Sequence, residues 1–90
     1  MQITEAYEER KGGEVTLLII EGFEVNTFPC TVTVEIDDLN KRDKTMYMSI
    51  YDVDPISKED KEYALEHSED FDIDTDYNGI DNIVFNHFDL

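Results

Sequence analysis

Two stretches of this chain alternate apolar and polar residues with a period of two. That period commits each of them to a β-strand with one buried face. Over residues 31–36, Val32, Val34 and Ile36 fall on one side and Thr31, Thr33 and Glu35 on the other. Over residues 45–53, Met46, Met48 and Ile50 oppose Tyr47, Ser49 and Tyr51. The polar stretch between them, residues 37–43, is short enough to join the two as an antiparallel hairpin. A third run, residues 15–20, is apolar on both sides, the pattern of a strand buried on both faces. Gly12-Gly13 is a turn signal, and residues 2–8 alternate loosely, so the first two strands also read as a hairpin. Gly22 and Pro29 bracket an irregular stretch in which Phe23 and Val25 form a short strand or cover the core.

Asp54-Pro55 ends the second alternating strand. Ser57 then has the character of a helix N-cap, with Asp60 three residues on as an approximate capping box. Glu59, Asp60 and Glu62 stand in the first turns, where the helix dipole favours carboxylates. The spacing predicts a helix over residues 57–67, with Tyr63, Ala64 and His67 on its inner face. Further on, Asn78-Gly79 is a hairpin signal. A three-residue loop at Tyr77, Asn78 and Gly79 would set Ile73 opposite Ile83 and Phe71 opposite Phe85. The expected architecture is therefore α+β: an antiparallel sheet of five to six strands with one α-helix near residues 57–67. Ninety residues make one domain, residues 1–90.

Charge sets the limits on function. The chain carries 23 acidic and 7 basic residues, a formal net charge of −16. A small soluble domain ordinarily carries about 2–8 charges of either sign, and an excess of one sign opposes folding by self-repulsion. Phosphate backbones and anionic membrane surfaces would repel such a chain, so neither nucleic acid nor membrane is an expected partner. Residues 46–90 hold 13 acids and two bases, against 10 and five in residues 1–45. The single cysteine, Cys30, cannot form an internal disulfide, which fits a reducing compartment. The N-terminal residues lack signal-peptide character, and the longest apolar run is too short to span a bilayer. A cytoplasmic location follows as the expectation, in the host if the protein is phage-encoded.

Asp70, Asp72, Asp74 and Asp76 occupy every second position. On a strand they would project from one face about 6.6 Å apart, near the phosphate spacing along one nucleic-acid strand. Glu59, Asp60, Glu62, Glu66 and Glu69 precede them and extend the same negative potential. The competing explanation is a solvated strand face that protects a sheet edge. Asp74, Asp76 and Asn78 also match the first ligand positions of a calcium loop, with Gly79 at the turn. The bidentate acid due at the twelfth position is replaced by Phe85. Two histidines 20 residues apart, His67 and His87, do not make a transition-metal set. Cys30, Ser49, Ser57 and Ser68 lack the context of a nucleophile, and the four glycines form no phosphate loop. Neither an enzyme nor a cofactor is expected.

The expected function is that of a nucleic-acid mimic, an inhibitor occupying the basic groove of a DNA- or RNA-binding enzyme. In size, charge and lack of catalytic residues the chain resembles small phage-encoded inhibitors of restriction, CRISPR and repair enzymes. That resemblance implies an anti-defence role of anti-restriction or anti-CRISPR type. The alternatives are an acidic structural or salt-adapted domain and a weak calcium-binding module. A homodimer through an exposed strand edge is a further alternative for assembly.

Overall fold

The computed structural model describes residues 1–25, 27–67 and 77–90. Four strands follow one another in the chain: β1 (Gln2–Arg10), β2 (Gly13–Val25), β3 (Phe28–Asn40) and β4 (Thr45–Pro55). They form one antiparallel sheet in the order β1-β2-β3-β4. Each strand pairs with its sequence neighbour through a tight connection, so no crossover is needed. Gly12 and Gly13 in the first turn take φ of 110° and 131°, conformations open to a residue without a Cβ. Thirteen-residue strands at about 3.3 Å per residue account for the 42 Å long axis of the molecule.

The two alternating segments bury the residues their period selects. Val32 pairs with Ile20 and Val53, Val34 with Leu18 and Ile50, and Ile36 with Thr16 and Met48. Leu18, Ile20, Val32 and Val34 are fully buried in a single cluster, with Ile3, Met46, Met48, Ile50 and Val53 packed against it. Phe23 and Val25 continue β2 beyond a bulge at Gly22, whose φ of 90° favours glycine. The bulge resets the side-chain alternation, and Val25 is thereby buried in the same core as Ile20.

Two helices complete the fold. The first, α1 (Lys58–Glu66), begins where Ser57 accepts a hydrogen bond from the Asp60 N–H at 3.0 Å, the cap expected of that serine. It lies against β4, with Tyr63 stacked on Phe28 and His67 tilted onto Tyr63. The second, α2 (Tyr77–His87), replaces the strand expected after Asn78-Gly79. The sheet therefore has four strands and not five or six, and the helices number two among the described residues. The reason lies in the apolar spacing. Ile80, Ile83, Val84 and Phe88 fall at intervals of three, one and four residues, a single helical stripe. Ile80 and Val84 are fully buried against the sheet. A hairpin would have turned both toward the face opposite Ile83 and Phe85. The local Asn-Gly signal is outweighed by this burial, and Gly79 meets the Phe23 ring at 3.5 Å from where a Cβ would stand. The helix ends in a Schellman motif: Asp89 takes φ of 59°, its N–H reaches Asn86 O, and the Leu90 N–H reaches Phe85 O.

Candidate functional site: the open face of the sheet

The core cluster lies entirely on one side of the sheet, beneath α2. Antiparallel register places directly paired residues on the same side, which defines the opposite face. Thr4 and Ala6 of β1 share that face with Val15, Leu17 and Ile19 of β2, Thr31, Thr33 and Glu35 of β3, and Tyr47 and Ser49 of β4. None of these residues joins the main core cluster; Leu17 is nevertheless buried, at 9% exposure. Helix α1 reaches only the β4 edge of this face, where Lys61 pairs with Asp54 at 3.3 Å; β2 lies two strands away.

Its centre is aliphatic and hydroxylic; its periphery is acidic. Glu8, Glu21, Glu24, Glu35, Asp37, Asp52 and Asp54 all belong to it by register. Glu35 and Asp37 repeat at every second position of β3, and Asp52 and Asp54 do so on β4, a separation of about 6.6 Å. A bulge between Thr33 and Val34 sets both Tyr51 and Asp52 against the single residue Thr33. Tyr47 and Tyr51 are 72% and 55% exposed.

Arg10 is the one base that the described strands place on this face. Its guanidinium donates to Glu8 and to Glu35, each at 3.0 Å, and stands 4.8 Å from the centroid of the Tyr51 ring. Glu35 belongs to β3 and Tyr51 to β4, so the Arg10 side chain crosses β2 to reach them. Its hydrogen bonds to the Glu8 and then the Glu35 carboxylate hold the guanidinium still more firmly protonated than usual. The arrangement neutralises Arg10 and leaves the face with uncompensated negative charge.

The hairpin turns hold four of the other six bases, Lys11, Lys41, Arg42 and Lys44. The β1–β2 and β3–β4 turns lie at the same end of the sheet, because Thr16 pairs with Ile36. Residues 9–14 and 37–45, which form that end, hold five bases and five acids. The remaining described residues hold 13 acids and two bases, Lys58 and Lys61, and Lys61 is paired with Asp54 at 3.3 Å. The molecule thus has one electrically balanced end and a strongly negative remainder.

Of the acids singled out in the sequence, Glu59 and Asp60 stand in the first turn of α1, and Glu62 and Glu66 follow on the same helix. Asp60 is half-buried and the other three are exposed. Glu69, Asp70, Asp72, Asp74 and Asp76 lie outside the described residues. So do two of the three calcium-loop positions, while the third, Asn78, is in the first turn of α2. Among the described residues no three His, Cys, Asp or Glu side chains are grouped to hold a metal ion. The open face itself was only partly legible. Tyr47 and Tyr51 read as outward-facing, and β2 read as apolar on both sides. The link from Arg10 to Glu35 and Tyr51 needs the strand order, which no local pattern supplies.

Two groups of catalytic type, His87 and Cys30, lie on the core side of the sheet. His87 Nε2 lies 2.7 Å from Glu5 Oε1 on the α2 side of the sheet. Cys30 is fully buried, its thiol directed to Phe28 O at 3.3 Å, and burial pushes its pKa up. A shallow groove between β4 and α1, lined by Val53, Asp54, Pro55, Lys61, Ala64 and Leu65, contains one ion pair and no nucleophile. No described helix is long and apolar enough to cross a membrane. Set against protein-family models, curated proteins and solved structures, the chain matches none of them.

Proposed function

We propose that this protein is a nucleic-acid-mimicking inhibitor, which binds the basic groove of a DNA- or RNA-binding enzyme and excludes the nucleic acid from it. The observation that carries this reading is the distribution of charge: among the described residues, 13 acids against two bases outside the balanced end of the sheet. A negative surface of this density raises the encounter rate with a positive groove and makes binding steeply salt-dependent. The paired carboxylates on β3 and β4 repeat at a spacing close to that of phosphates along a strand. Salt adaptation would spread acids over the whole surface and would not leave one end neutral.

Affinity capture on the immobilised protein, eluted with salt and followed by a displacement assay, tests the reading. The captured protein should bind DNA or RNA by itself and release it when this chain is added in equimolar amount. Release should fail at about 0.5 M NaCl, where screening shortens the reach of each charge to about 4 Å. Capture of nothing at about 50 mM salt, or of a protein that keeps its nucleic acid, would overturn it.

A further inference from the structure

Strand β2 carries aliphatic residues on both of its sides, yet the core covers only one. Leu18 and Ile20 are fully buried beneath α2, while Val15, Leu17 and Ile19 face the other way, outside the core cluster. A strand exposed on one side normally alternates apolar with polar residues; this one has the composition of a strand covered twice. Ala6 on β1 and Thr31 and Thr33 on β3 widen the aliphatic stripe with small side chains that allow close approach. Tyr47 and Tyr51 flank it, and tyrosine is enriched where protein surfaces meet. Carboxylates surround the whole. An apolar centre inside a charged rim is the anatomy of a protein–protein interface.

We infer that this open face is the docking surface, and that its occupant is a lysine- and arginine-bearing protein surface with an apolar patch at its middle. The inference rests on the proposed function and specifies which side of the molecule performs it. Charge selects the occupant. Seven carboxylates lie on this face against two bases, both already paired: Arg10 with Glu8 and Glu35, and Lys61 of α1 with Asp54. A second copy laid against it would bring two such rims together, and the repulsion would oppose burial of the stripe. A cationic partner gains from both features at once: its bases meet the rim while its apolar patch covers Val15 and Ile19.

Titration with a nona-arginine peptide, followed by NMR amide shifts at about 100 mM NaCl, reads the electrostatic half of this surface. Shifts should concentrate on Thr31, Thr33, Glu35, Asp52 and Asp54 and leave Glu9, Glu14 and α2 nearly unmoved. Two variants separate location from net charge. Thr33→Arg adds one positive charge at the centre of the face; Glu9→Arg adds two on the α2 side of β1. We expect T33R to weaken peptide binding about tenfold or more and E9R to weaken it less than threefold, as site-specific complementarity requires. A larger effect from E9R would mean that net charge alone governs binding, and the inference would fall while the proposed function stood. Absence of any binding would remove both. The wild-type shift map decides the matter if T33R does not fold. Sedimentation should show a monomer; a dimer whose formation protects Thr31 and Thr33 from exchange would assign the face to a second copy instead.

Discussion

At the scale of single residues, burial decides which side chains are available for chemistry. Cys30 is the clearest case. Its position at the start of β3 gives a local reading no more specific than a small hydrophobe near a strand. The pairing of Cys30 with Phe23 and Pro55 is what encloses it. Desolvation raises its pKa, so the folded state favours the neutral thiol. The stability this confers is fully present below the unfolded thiol's ordinary value of about 8.5 and is lost as pH rises through the higher folded value. An aromatic disulfide reagent at pH 8 should therefore modify the native protein far more slowly than the urea-unfolded chain. Equal rates would show that the thiol is accessible. Arg10 illustrates the converse. Its pairing with Glu8 follows from their shared strand face two residues apart, but only the β1-β2-β3-β4 order brings Glu35 and Tyr51 within its reach.

At the scale of elements, the contest between hairpin and helix at Gly79 provides a direct test. In a three-residue hairpin loop Gly79 would take a positive φ, and alanine there would cost about 1 kcal/mol. In α2 it has no positive φ, and a Cβ would meet the Phe23 ring at an ordinary 3.5 Å. Gly79→Ala should therefore raise stability, by about 0.5–1 kcal/mol from helix propensity and restricted unfolded-state freedom. The urea midpoint measures it, and a lowered midpoint would contradict the helix. For α1 the local signals agree: Ser57 caps, Glu59 and Asp60 follow, and the first turn closes on that cap. For residues 77–87 the turn dipeptide and the 3.6-residue apolar period disagreed, and the second involves more buried surface.

For the whole molecule, net charge is the quantity that matters most. A charge of −16 on 90 residues opposes compaction wherever the medium does not screen it. Raising NaCl from about 10 mM to about 0.5 M shortens the Debye length from about 30 Å to about 4 Å. The melting temperature should then rise by roughly 5 °C, the response to about 1 kcal/mol in a domain of this size. A fall on adding salt would mean that pairs such as Arg10–Glu35 and Lys61–Asp54 outweigh the general repulsion. The same screening should abolish partner binding while it strengthens the fold, a combination that separates surface function from stability.

The amino-acid sequence by itself determined which strand residues would be buried, because a period of two leaves one set of side chains to seek cover and the other to meet water. It likewise determined the start of α1, through a capping contact confined to four residues, and the amount of negative charge. Tertiary structure decided what local pattern cannot: that residues 77–87 close over one side of the sheet, that bases distant in the chain gather at one end, and that one aliphatic side of β2 stays outside the main core cluster. Those outcomes depend on which strands become neighbours. Neighbourhood is settled by the burial of the whole set of apolar side chains together, not by any segment alone.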